Sequence, residues 1–186
     1  MNTTVWDAVL TLPVSPARDH IRGPVDAPVT LVKYGDYQCA YCAAAHTVVN
    51  AIQARAGGGL CFVFRHFPMT TVHPYAEAAA EAAEAAGAQR RFWTMHDQLF
   101  ESQQQLAAPY LLAYAKAIGL DLSQFTRDLA DHAHVPKVRE DFMSGIRSGV
   151  NGTPTFFING VRHDGSWDAA TLWAAFQSAA AARRRA

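Results

Sequence analysis

Val29-Thr30-Leu31-Val32-Lys33-Tyr34-Gly35-Asp36-Tyr37-Gln38-Cys39-Ala40-Tyr41-Cys42 is the stretch on which the fold turns. Val29, Leu31, Val32 and Tyr34 read as a buried strand, with Lys33 the one charged interruption. From Cys42 onward the apolar residues Cys42, Ala45, Val49 and Ile52 fall at steps of three, four and three, which is one face of a helix. Gly57-Gly58-Gly59 stops that helix. The two cysteines therefore stand where a strand hands over to a helix. A cysteine at a helix N-terminus meets unpaired N–H groups and the positive end of the helix dipole, both of which favour thiolate over thiol. Such a cysteine ionises at roughly pH 3.5–7.5. Cys42, one turn in, is the more covered. On this reading Cys39 attacks a disulfide and Cys42 resolves the resulting mixed disulfide.

Working outward, Leu60 to Phe67 reads as a second strand, ended by Pro68. A helical block runs from about Pro74 to Ser148. In it Glu77, Glu81 and Glu84 mark a wet face, and Gly87 reads as the end of the first helix. Further helices carry Phe92, His96 and Leu99; Leu111, Ala115 and Ile118; Leu122, Phe125 and Leu129; and Val138, Phe142 and Ile146. Asn159-Gly160, set between Thr155–Ile158 and Val161–His163, signals a two-residue hairpin. Ser166 or Asp168 caps a last helix that buries Leu172, Trp173 and Phe176. A strand–helix–strand unit implies parallel pairing through a right-handed crossover, and the hairpin adds antiparallel strands to make a mixed sheet. Residues 1–28, punctuated by Pro13, Pro16, Gly23, Pro24 and Pro28, read as an irregular arm.

Composition narrows the function. The 16 basic and 16 acidic residues cancel, giving no electrostatic reason for a nucleic-acid or membrane-surface partner. The run Arg183-Arg184-Arg185 reads as solvated charge. Three cysteines cannot form a disulfide framework. No stretch approaches the ~20 apolar residues that span a bilayer. Met1 to His20 lacks the early basic residue and unbroken apolar core of a secretion signal, so the expected location is cytoplasmic, or extracytoplasmic if a signal was removed.

C-x-x-C is also half of a zinc site, but a four-ligand site needs a second close set. Cys61 stands alone, and His132 and His134 are the closest pair among the eight histidines. No metal and no cofactor is expected. Gly152-Thr153-Pro154-Thr155, just before an apolar strand, is weak alone and stronger in company with C-x-x-C. Taken together, Asp26-Ala27-Pro28, the stretch from Tyr34 to Cys42, Phe64-Arg65-His66-Phe67-Pro68, and the run from Val150 to Gly160 resemble the DsbA-like branch of the thioredoxin superfamily.

The resemblance covers residues from about 20 to 180. It implies an α/β thioredoxin fold: a core at 29–72 and 149–182, an inserted helical subdomain at 73–148, and an arm at 1–28. It implies a thiol–disulfide oxidoreductase with Cys39 and Cys42 as its redox pair. It also implies a cis Thr153–Pro154 bond beside Cys39, with the Thr153 backbone facing the substrate. Substrates would be protein or small-thiol disulfides, and a redox partner that the residues do not identify would recycle the pair.

Six residues before Cys39 the superfamily usually carries a buried acid, and Lys33 stands there instead. Lys33 either stabilises a nearby thiolate, or tilts outward or pairs with a carboxylate such as Asp36. Ala40-Tyr41 lacks the histidine of the most oxidising members, which implies a less oxidising pair. Tyr41 offers a ring face to a peptide. Cys61 reads as a buried inert thiol and His66 as a hydrogen-bonded structural histidine. Phe92, Trp93, Trp173 and Phe176 read as core. Two other functions fit the same residues: a peptide-binding or chaperone module with incidental redox activity, and a glutathione-dependent transferase. Cys42 argues against the transferase, because such enzymes usually work without a resolving cysteine.

Overall fold

The computed structural model describes residues 8–185, so the first seven residues of the expected arm lie outside it. Five strands, β1 (His20–Arg22), β2 (Val29–Gly35), β3 (Leu60–His66), β4 (Thr155–Ile158) and β5 (Val161–His163), form one sheet in the order β1-β3-β2-β4-β5. β2 and β3 are parallel, joined across helix α1 (Ala40–Ala56) and a single 3-10 turn at Gly57–Gly59. β4 runs antiparallel to β2, and β5 antiparallel to β4. This is the mixed sheet of a thioredoxin fold. Between β3 and β4 come α2 (Ala76–Ala88), α3 (Phe92–Glu101), α4 (Ala108–Ala117), α5 (Leu122–Ala130) and α6 (Val135–Arg147). The last helix, α7 (Ala169–Arg183), is capped by Asp168, whose carboxylate accepts from Ala170 N and Thr171 N.

The alternation of side chains along a strand sorts the core into two layers. Val29 and Leu31 face α1 and the helices that follow, together with Phe62 and Phe64 of β3. Val32 and Tyr34 face the other way, onto Val63, Phe67, Val150 and Phe157. Each fully buried large apolar side chain contributes about 1.5–3 kcal/mol. Lys33 follows the same period, so it falls on the face of Val29 and Leu31 and is fully buried. Its outward tilt, considered from sequence, would have required breaking that register.

Two expectations are corrected. The arm is irregular only in part: His20–Arg22 pairs antiparallel with β3, and Val9 bridges Val161 while Arg162 N donates to Ala8 O. Three residues with one apolar member carry no period that could reveal a strand. Gly87 does not end α2, which runs on through Ala88. Its lack of a side chain serves packing, since a Cβ there would lie 2.9 Å from His20 Cε1.

Candidate active site

Cys39 is the N-cap of α1, and its carbonyl accepts from Cys42 N and Ala43 N. The loop before it is held by Asp36, which is 1% exposed. The Asp36 carboxylate accepts from Gln38 N at 2.7 Å and Met69 N at 2.8 Å, and it lies 2.8 Å from His73 Nδ1. From the far side, Gln103 Nε2 donates to Tyr37 O at 2.7 Å and Cys39 O at 2.9 Å. The segments just before α2 and just after α3 thus clamp the mouth of α1. Gln103 belongs to no pattern readable in sequence, and Asp36 lies in the Tyr34–Cys42 stretch without a role of its own there. The Asp36 carboxylate, a candidate partner for Lys33 from sequence, is committed instead to the loop.

The two thiols differ sharply. Cys39 is 6% exposed, and its Sγ lies 3.5 Å from Thr153 O. Its pKa falls from 9.0 to about 5, chiefly because the Cys42 thiol donates to its sulfur, against the opposing effect of burial. Thr153 and the backbone N–H groups of Cys42 and Tyr41 add to the fall. Cys42 is fully buried, and burial pushes its pKa well above 9.0, with the hydrogen bond to Cys39 acting in the same sense. The Asp36 N–H points at Cys42 Sγ from 3.5 Å. The Thr153–Pro154 peptide is cis, and Thr153 Oγ1 reaches Met69 Sδ at 3.7 Å. Cys39, Cys42, Thr153 and Pro154 therefore form one cluster. Ala40 opens α1 beside it, and Tyr41 stands 70% exposed at its rim.

Lys33 Nζ donates to the Cys42 carbonyl oxygen at 3.0 Å and sits 4.5 Å above the Phe100 ring. Desolvation lowers its pKa from 10.5 to about 8, and the charges of Cys42 and Cys39 oppose that fall. Its ammonium thus lies against the backbone of Cys42. The other singled-out residues lie in or against the core. His66 is buried, with Nε2 2.8 Å from Glu84 Oε1. Cys61 is 1% exposed, and burial raises its pKa. Phe92 is buried, and Trp93, Trp173 and Phe176 pack against the same core.

Among curated proteins the chain resembles ones named Na(+)/H(+) antiporter NhaA. One from Salinispora arenicola is 49% identical over 175 residues, covering 94% of this chain and 27% of the relative. One from Mycobacterium sp. (strain KMS) is 44% identical over 171 residues, covering 91% of this chain and 28% of the relative. The chain spans about a quarter of the length of these relatives, so the antiporter name is that of longer proteins. Among the described residues no helix is long and apolar enough to cross a membrane.

Among solved structures, a thioredoxin-like oxidoreductase from Silicibacter pomeroyi DSS-3 is 26% identical with a TM-score of 0.74, covering 92% of this chain and 95% of that one. BdbD from Bacillus subtilis superposes with a TM-score of 0.83 at 24% identity, covering 94% and 99%. The alpha-DsbA1 of Wolbachia pipientis gives 0.80 at 21%, covering 94% and 96%. The family described as Thioredoxin matches residues 16–178. With that match over most of its length, the chain belongs to the thioredoxin family.

Proposed function

We propose that this chain exchanges two electrons with protein or small-thiol disulfides through Cys39 and Cys42. The observation that carries the reading is the placement of two adjacent thiols at the start of α1, Cys39 at the N-cap with its Sγ 3.5 Å from Thr153 O and Cys42 fully buried, an arrangement that lowers the Cys39 pKa to about 5 and raises that of Cys42. The Cys39 thiolate attacks one sulfur of a substrate disulfide. A mixed disulfide forms, and the first substrate sulfur leaves as a thiolate that takes a proton from water. Cys42 then loses its proton and attacks Cys39 Sγ, expelling the second substrate sulfur. The substrate is reduced to two thiols, and Cys39–Cys42 is oxidised to a disulfide. Run backwards, the same steps oxidise a dithiol. A reducing compartment keeps the pair as dithiol and makes it a reductant, whereas an oxidising one makes it a disulfide donor.

Lys33 assists the second step. Its ammonium attracts the Cys42 thiolate across a low-dielectric interior, and at pH above about 8 its neutral amine accepts the proton. Thr153 offers its backbone beside Cys39, and Tyr41 offers an exposed ring to a peptide chain.

Insulin reduction by dithiothreitol tests the reading. Cys39→Ser abolishes the acceleration, and Cys42→Ser accumulates mixed disulfides that a non-reducing gel resolves. Full acceleration by Cys39→Ser overturns it, and traps seen with Cys39→Ser alone reverse the two roles.

A further inference from the structure

Away from the thiols, α1 and α3 bring together His46, His96 and Asp97. One ligand atom from each lies within 4.8 Å of the other two. Both histidines are buried, His46 at 6% and His96 at 1% exposure. Two polar atoms here are buried without a hydrogen-bond partner: His96 Nε2 and Asp97 Oδ1. A buried polar atom left unpaired costs about 1–3 kcal/mol, so two side by side need a physical reason. We infer that His46, His96 and Asp97 form a binding site for a divalent transition-metal cation of the zinc class.

The geometry suits that ion. His46 Nε2 and Asp97 Oδ1 stand 3.6 Å apart, against the edge of about 3.4 Å set by a tetrahedral zinc with bonds near 2.1 Å. Two imidazoles and one carboxylate are a donor set that zinc accepts, leaving a fourth position free. The surrounding contacts orient each ligand. Arg22 holds Asp97 Oδ2 at 2.7 Å, which leaves Oδ1 unengaged. Tyr37 OH lies 2.9 Å from His96 Nδ1. When that nitrogen carries the proton and donates it to the tyrosine oxygen, Nε2 presents its lone pair. The Asn50 amide, 3.0 Å from His46 Nε2, can rotate to offer its oxygen as a further ligand. Asp97 is the exposed member, with 34% of its side chain open, and gives the ion its way in.

Burial keeps both imidazoles uncharged near neutral pH; the His46 pKa falls to about 4 and the His96 pKa well below 6.5. Neutral imidazole is the form that binds metal. Lys33 and Arg22 both act electrostatically on His46. Two cations beside one carboxylate limit the affinity, which should fall well short of that of an all-cysteine structural site.

The test uses the full chain carrying Cys39→Ala and Cys42→Ala, so that no reactive thiol competes for metal and the outcome is independent of the proposed redox function. Zn2+ is titrated by calorimetry, while long-range 1H–15N spectra follow the histidine rings. The expected result is one saturable equivalent, shifts in the Nε2 resonances of both His46 and His96, and at least about tenfold weaker binding in Asp97→Asn. Asp97 sits at the rim, so this variant keeps the fold where a change at His96 could disturb it. No saturable binding overturns the site, as would be the case if a water bridges these atoms. Binding that leaves either ring unmoved, or that survives Asp97→Asn undiminished, overturns it as well.

Discussion

Lys33 places a positive charge next to a thiol that burial would otherwise hold neutral, and this has a measurable consequence. Reduction of the pair creates negative charge near the ammonium, so Lys33 favours the dithiol. Lys33→Met keeps the apolar stem and removes the charge. The thiol pKa values should rise, most of all for Cys42, and the pair should become less oxidising by about 30 mV, a tenfold change against a glutathione series. Equal potentials in the two proteins would mean that the ammonium does not act on the pair. In the wild type, thiolate absorbance at 240 nm should titrate near pH 5. The sign for stability follows from the same shift. Between about 5 and 9.0 the folded dithiol has released a proton that the unfolded chain still holds. The reduced form therefore gains stability as pH rises through that window and loses it as pH falls toward 5. Melting temperatures of the reduced form, taken relative to the oxidised form, measure it. The sequence alone marked Lys33 as out of place, because the residue type is visible in a strand pattern. It could not say where Nζ ends up, because that depends on α1 and α3, brought in from elsewhere in the chain.

Elements with an internal period were legible: β2, α1, β3 and the β4–β5 hairpin lie where the apolar spacing and Asn159-Gly160 put them. What the spacing could not carry is contact between distant elements. Gln103 reaches the active-site loop from the end of α3, and nothing near it in sequence hints at that. The packing of α6 on β3 is likewise hidden until both are in place. Gly145 lies at that seam, where a Cβ would come within 2.7 Å of Phe67 Cδ2 and 3.1 Å of Tyr34 Cδ1. Alanine would gain about 1 kcal/mol of helix propensity. The rings it meets belong to a filled layer, where overpacking costs about 1–3 kcal/mol. Gly145→Ala should therefore lower stability, by up to about 2 kcal/mol, in urea unfolding. A gain would mean that Phe67 moves aside freely.

At the scale of the whole molecule, the arm is a fastening. Asp19 is buried against Arg65 of β3, with Nε–Oδ1 at 3.0 Å and NH2–Oδ2 at 3.2 Å, and Arg65 also reaches Tyr34 OH and Pro13 O. Asp19→Ala leaves the Arg65 guanidinium, which has no exposed surface, without its counter-charge. Breaking a buried pair in this way costs about 3–5 kcal/mol, to be read from thermal and urea unfolding. A loss under 1 kcal/mol would mean that Tyr34 and Pro13 suffice to hold the arginine. The arm also lines both sides of the sheet: His20–Arg22 is the outer strand β1 that covers the flank of β3, and residues 8–10 run along β5. Unpaired sheet edges are templates for joining other chains. These two edges close at different moments as the chain leaves the ribosome. The partner of β1 is made about forty residues later, a few seconds at ordinary elongation rates. The partner of residues 8–10 is β5, the last strand of the sheet and about 150 residues on, so that flank of the nascent domain stays open to its neighbours on the polysome far longer.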